Sequence, residues 1–223
     1  MQLVMPFARA TSYDPADFIR GAGNEDALQL IERFPDWPYS MVLLHGPKGC
    51  GKTHLAHVFA ARARATFIAP ERLGTAPADQ LLVGNHAWVI DGIEAVKDHA
   101  ALAQLINHVR ARGDYVLMTA QSAAAELAIT LPDLRSRLLA LPSIALGAPD
   151  DALLMGLLAK QFADRQLRIT PEVLAVAVLH IERSYEAAQA FVRAMDTLSL
   201  SVGRAITPAL VRTAMKQSAS LNE

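Results

Sequence analysis

Gly46-Pro47-Lys48-Gly49-Cys50-Gly51-Lys52-Thr53 fits the pattern G-x-x-x-x-G-K-[ST]. The residues before it, Met41–His45, form a short apolar run of the kind a buried strand has. The residues after it, Lys52–Arg64, carry Leu55, Val58 and Phe59 at helical spacing. A strand entering the loop and a helix leaving it make the context in which this pattern binds phosphate. The glycines let backbone amides turn toward phosphate oxygens, and the helix N-terminus adds its partial positive charge. Lys52 is expected to reach the β- and γ-phosphates, and the Thr53 hydroxyl to ligate Mg²⁺. ADP or ATP with Mg²⁺ is the expected ligand. Gly46, Pro47, Lys48, Gly49, Cys50, Gly51, Lys52, Thr53 and the adjoining His54 are its candidate contacts. Cys50 reads as a small residue in a tight loop, with a redox sensor as the alternative.

Working outward, strands and helices alternate. A helix is expected over 24–33, ending before Pro35, with Trp37-Pro38 as a turn into the strand at 41–45. Further strands are expected at 65–69, 87–90, 115–119 and 143–146. Helices are expected at 101–112 and 131–139. This alternation implies an α/β fold with a five-stranded parallel sheet covered on both faces. After Ala148-Pro149 only helices are expected. The first is 150–165, with Leu153, Leu154, Leu157, Leu158 and Phe162. Thr170-Pro171 and Thr207-Pro208 each read as an N-cap followed by proline, and a long helix runs from Ser184 to Val202, ended by Gly203. The expected division is an N-terminal peptide (1–12), an α/β nucleotide-binding domain (13–148) and a small helical domain (149–223).

Ala87-Trp88-Val89-Ile90-Asp91 is an apolar strand ending in a carboxylate. In phosphate-loop proteins such a carboxylate holds the Mg²⁺ shell. Many of these ATPases place a second acid directly after it to activate water, but here Gly92 stands there. Slow intrinsic hydrolysis is expected, unless Glu94 or a partner's residue supplies the base. Thr119, at the end of the next strand, is a candidate for contact near the γ-phosphate or the attacking water, with Gln121 as the other candidate. His45, His54, His57 and His86 read as packing or surface residues, not a metal set.

Composition bounds the partners. Twenty-one Lys and Arg face twenty-two Asp and Glu in 223 residues, so the net charge of −1 gives no strong electrostatic reason to bind nucleic acid directly. Contact with DNA is expected only through a partner. Hydrophobic residues make up 52% of the chain, enough for a core. The single cysteine, Cys50, allows no intrachain disulfide. No apolar run approaches a membrane span, and Met1–Ala10 lacks the features of a signal peptide. A cytoplasmic protein without membrane contact is the expectation.

Several segments resemble one family. The loop extended as GPKGCGKTHLA (46–56), the stretch Asp17-Phe18-Ile19 with Gly23-Asn24, and Asp91-Gly92-Ile93-Glu94 all resemble the DnaA-related branch of the AAA+ family. So do Leu134-Arg135-Ser136-Arg137-Leu138 and Gly203-Arg204-Ala205-Ile206-Thr207. The resemblance implies an AAA+ core with a helical lid and adds Phe18 and Ile19 to the nucleotide contacts. It makes Arg137 an arginine finger acting in trans, with Arg135 as the alternative. Such a finger is worth roughly 10³–10⁵ in rate. In the lid, Glu186 falls where the family carries a phosphate-contacting arginine. Either Glu186 turns away or Arg183 substitutes, since a carboxylate repels phosphate.

Gln2-Leu3-Val4-Met5-Pro6-Phe7 resembles a sliding-clamp-binding hexapeptide, with Gln2, Leu3, Met5, Pro6 and Phe7 as its contacts. The chain stops at Glu223 just after the lid, so a bare core with lid, without the family's DNA-binding domain, is expected. The implied partners are DnaA and the β sliding clamp of DNA polymerase III, and self-association into a homo-oligomer stays open. The implied role is stimulation of ATP hydrolysis in DnaA, with weak ATPase activity of its own. Two competing readings remain. One is an independent AAA+ ATPase such as a helicase loader, and the other a nucleotide-binding module without catalytic influence.

Overall fold

Three apolar runs, at 41–45, 87–90 and 115–120, become strands because each is buried on both faces, which removes the need for polar alternation. The computed structural model describes residues 18–202 and 206–212. Its strands are β1 (Met41–His45), β2 (Thr66–Phe67), β3 (Ala87–Ile90), β4 (Tyr115–Ala120) and β5 (Ser143–Ala145). They form one five-stranded sheet in the order β2-β3-β4-β1-β5, and every pairing is parallel. His45 lies opposite both Ala120 and Ala145, so β1, β4 and β5 end level. The order reverses direction beside β1, and open α/β sheets bind ligands at such a switch point, beyond the carboxyl ends of the strands.

Side-chain alternation divides the core. Met41, Leu43, Trp88, Ile90, Val116 and Met118 face one side with Leu102, Leu105, Ile106 and Val109 of a helix at His99–Arg112. Val42, Leu44, Val89 and Leu117 face the other, against helices α1 (Glu25–Glu32) and α2 (Lys52–Ala63). On that side Trp37 stacks on Phe59 with centroids 4.9 Å apart, and Phe34 meets both rings edge-on. Aromatic pairs of this kind add about 0.5–1.5 kcal/mol beyond burial.

Some boundaries differ from the sequence reading. The strand expected over 65–69 shrinks to Thr66–Phe67, because it is a solvent-exposed edge and Pro70 turns the chain into a 3₁₀ turn at Pro70–Arg72. A short helix α3 (Ala78–Leu81) and a 3₁₀ turn at Ile93–Ala95 are too brief for periodicity to reveal. Helix α4 starts at His99 rather than 101, because the Asp98 side chain accepts from Ala101 N at 2.9 Å and caps it. Helix α5 is Pro132–Leu139.

After residue 150 the structure is helical: α6 (Asp151–Asp164), α7 (Pro171–His180) and α8 (Tyr185–Val202). Leu154, Leu158, Phe162, Val173, Ala177, Ala188, Phe191, Val192 and Met195 build a separate apolar cluster among them, joined by Ile206 and Val211. Ser184 caps α8 by accepting from Ala187 N at 3.0 Å, and Thr207 accepts from Leu210 N at 3.3 Å. Thr170 holds the N-cap position of α7, but its side chain makes no capping bond. Gly203, expected to end α8, lies outside the described residues, as does the peptide Gln2–Phe7. Among the described residues, no helix is long and apolar enough to cross a membrane.

Candidate functional site

The loop between β1 and α2 opens onto a cleft of about 810 Å³ at the carboxyl ends of the strands. Lys48, Gly49, Gly51, Lys52, Thr53 and His54 form its floor. Gly51 sits at φ +98°, which a side chain would resist, and this turn carries the chain from loop to helix. The Lys52 ammonium lies across the loop and donates to the carbonyls of Gly46 at 2.7 Å and Pro47 at 2.8 Å. Its charge is thus held at the loop, where phosphates would neutralise it. Cys50 is buried, with 1% of its surface exposed, and burial raises its thiol pKa. It faces the core, in keeping with a small residue in a tight loop.

Asp91 follows β3 and receives two hydroxyls. Thr53 donates to its Oδ2 at 2.8 Å and Thr119 to its Oδ1. The Thr119 hydroxyl also accepts from Gly92 N at 2.8 Å. Thr119 therefore serves first to fix the Asp91 carboxylate and the turn at Gly92, which has φ +80°. A hydroxyl and a carboxylate side by side form a hard-oxygen pair. That pair suits Mg²⁺, which binds through one or two carboxylates together with phosphates and water. Glu94, Thr119 and Gln121 also line the cleft.

Phe18 and Ile19 do not line this cleft. They stand behind it, Phe18 edge-on to His54 with centroids 5.2 Å apart and Ile19 against Gly156 of α6. His57 packs on Phe67, and His86 pairs with the buried Asp114 at 2.8 Å.

The roof comes, Glu186 apart, from residues to which sequence reasoning gave no role in the site. Leu157, Lys160, Gln161 and Asp164 of α6 and Arg165 just after it, with Tyr185, Glu186 and Gln189 of α8, complete the lining. The polar residues at 160, 161, 164 and 165 recur one turn apart near the end of α6, on the same side as Leu157. That spacing is the signal available in the sequence. Tyr185 N donates to Gly49 O at 2.8 Å, so the first turn of α8 docks on the loop. The Tyr185 hydroxyl receives Asn24 Nδ2 at 3.3 Å. Asn24 also ties down the preceding segment, accepting from Gly21 N and donating to Ile19 O.

The position of Glu186 corrects both sequence alternatives. Glu186 does not turn away: it lines the cleft, and its Oε2 lies against Gly49. Arg183 does not substitute for it, because its guanidinium donates to Asp151 at 2.7 Å. The cause is the Tyr185–Gly49 backbone bond, which turns the next side chain toward the loop.

Arg137 lies on α5, outside the residues lining this cleft. Its Nε donates to Asp133 at 2.8 Å and its NH1 to Asn107 Oδ1 at 2.6 Å. Pairing with Asp133 raises the guanidinium pKa. Arg135 instead donates to Ala125 O at 3.0 Å.

A glycine-rich loop between strand and helix, a Thr–Asp pair beside it and a helical roof on a five-stranded parallel sheet define a P-loop protein with the AAA+ fold. Residues 42–118 match the family described as "ATPase family associated with various cellular activities (AAA)". The chain is similar to DnaA: it is 26% identical over 218 residues to the chromosomal replication initiator protein DnaA of Caulobacter sp. (strain K31), covering 85% of this chain and 45% of that protein. It thus spans about half the length of that relative. In fold it is similar to domain III of the Thermotoga maritima replication initiation protein DnaA, with a TM-score of 0.78 and 16% identity over 93% of this chain and 97% of that one. AMPPCP-bound DnaA from Aquifex aeolicus gives 0.71 and 15% over 84% of this chain and 66% of that one.

Proposed function

We propose that this chain is a nucleotide-binding regulator of replication initiation resembling Hda, the DnaA-related adaptor. In this reading it binds ADP or ATP with Mg²⁺ in the cleft and docks on ATP-bound DnaA. It then presents Arg137 to the nucleotide of DnaA. It binds the DNA polymerase sliding clamp through Gln2, Leu3, Met5, Pro6 and Phe7. The helices from residue 149 act as its lid. The promoted reaction is hydrolysis of ATP to ADP and phosphate in the partner, which restrains re-initiation.

The observation that carries this reading is the contrast between the cleft and Arg137. Lys52, Thr53 and Asp91 line the cleft, where this reading puts nucleotide and metal, yet Gly92 stands where a water-activating acid would follow Asp91. Arg137, on α5, does not line that cleft and is held by two side chains. A residue so held suits a neighbour's nucleotide better than its own. Asp91 and Thr53 would carry the metal, with Thr119 orienting Asp91. Magnesium, when bound, would neutralise phosphate charge.

The test is ATP hydrolysis by DnaA in the presence of this chain, clamp and DNA, repeated with Arg137→Ala and Gln2→Ala. Stimulation lost in both variants is the expected result. No stimulation by the unmutated chain sinks the reading. Appreciable hydrolysis by this chain alone, abolished by Asp91→Ala, favours an independent AAA+ ATPase instead.

A further inference from the structure

A carboxylate rests on the phosphate loop itself. A Cβ placed on Gly49 would lie 1.6 Å from Oε2 of Glu186 and 2.9 Å from the Cβ of Ser184. The same turn of α8 is anchored by the Tyr185 N to Gly49 O bond at 2.8 Å, and the Tyr185 ring stands over Gly51. Loop amides in this motif cradle phosphate oxygens. A carboxylate from the chain's own eighth helix therefore already lies against this loop at Gly49.

We propose that Glu186 is an internal competitor for the phosphate cradle, so that a nucleotide enters only by displacing its carboxylate from Gly49. This rests on the nucleotide reading above and names the regulation of that same site. Two physical effects drive it. The carboxylate and the incoming phosphate are like charges at close range, and their repulsion grows with each phosphate the ligand carries. The first turn of α8 is also bonded to the loop, so moving Glu186 loosens the roof. Nucleotide binding is thus linked to the docking of α8, and the ligand with fewer charges meets less resistance. Lys52 shows the complementary half of the design, its ammonium being held by Gly46 O and Pro47 O until phosphate replaces them.

Calorimetric titration of the full chain with ADP and with AMPPCP, in magnesium, tests this. Glu186→Gln keeps the shape and removes the charge, Glu186→Ala removes both, and Lys52→Ala serves as the control. The expected result is tighter ADP binding in both Glu186 variants, by about tenfold, and a larger gain for AMPPCP. Lys52→Ala weakens both ligands. Unchanged affinities in both Glu186 variants, with Lys52→Ala still weakened, overturn Glu186 as a competitor and leave the nucleotide reading standing. Binding of neither ligand to any variant, or a Lys52→Ala variant equal to the unmutated chain, overturns the nucleotide reading and this proposal with it.

Discussion

The hydroxyl of Thr53 donates to Oδ2 of Asp91 at 2.8 Å, joining the first turn of α2 to the end of β3. Thr119 holds the other carboxylate oxygen from the neighbouring strand β4. Leu44 pairs with Thr119 across β1 and β4, so the sheet register itself brings these groups together. The carboxylate is oriented on both sides before any metal arrives.

This orientation gives the first expected outcome. Asp91→Asn keeps a group of the same shape but removes the charge that would hold Mg²⁺. Magnesium should then no longer tighten nucleotide binding, as measured by titration with and without EDTA. Thr119→Val should leave Asp91 charged but held by Thr53 alone. Loss of an orienting partner of this kind costs roughly 10–100-fold in metal affinity. Equal magnesium dependence in all three proteins would remove Asp91 from the metal site.

Lys52 offers a test by stability. A ligand bound only by the folded state adds about 2.7 kcal/mol at a concentration 100 times its dissociation constant. The unmutated chain should therefore melt at a higher temperature with ADP and magnesium than without. Lys52→Ala should lose most of that gain. Its apo stability should change little, since the ammonium bonds only within its own loop, to the carbonyls of Gly46 and Pro47 and the sulfur of Cys50. A full ligand-induced gain in Lys52→Ala would separate the loop from nucleotide binding.

The floor of the cleft was legible in the sequence and its roof was not, for a physical reason. Asp91 directly follows an apolar strand, and Lys52 and Thr53 open the helix after a loop of fixed pattern, so strand and loop set their direction. Tyr185, Gln161 and Lys160 reach the cleft only through the docking of α6 and α8, and no local pattern states how a helix is placed. Glu186 shows the limit most clearly. Alignment with relatives identified its place, but only the Tyr185–Gly49 bond decides that it faces the loop. Asn24 likewise looked like an ordinary helix start, yet its side chain bonds Ile19 and Tyr185 rather than capping α1. The fold was easier to read, because five apolar runs alternating with helices admit few arrangements. Edge strand β2 was overextended because exposure, not composition, ends it.

Arg137 is held on α5 by Asp133 and on α4 by Asn107. If Arg137 acts in a neighbour's site, Asn107→Ala should reduce stimulation of DnaA hydrolysis by releasing one anchor. Arg137→Ala should reduce it further, within the roughly 10³–10⁵ range of arginine fingers. Neither variant should alter the affinity of this chain for ADP, because neither residue lines the cleft. The two assays together distinguish a positioned finger from a general loss of folding. Stimulation that survives Arg137→Ala but fails in Arg135→Ala would transfer the role to Arg135.

Tyr185 provides a pH-dependent check on the docking of α8. Burial raises its hydroxyl from 10.0 to about 12, an effect larger than the opposing bond from Asn24. Below pH 10 the group is neutral in both the folded and the unfolded chain. Between pH 10 and 12 the unfolded chain releases this proton while the folded chain keeps it, so stability falls as pH rises. One pKa unit corresponds to about 1.4 kcal/mol, so the loss across that window approaches about 2.7 kcal/mol. Tyr185→Phe removes the titrating group. Denaturant unfolding at several pH values should therefore show a shallower alkaline decline in the variant. At neutral pH the variant should be less stable by about 1 kcal/mol, the worth of the lost Asn24 bond. Parallel alkaline declines in the two proteins would mean that Tyr185 is solvated in solution. The eighth helix would then not rest on the phosphate loop.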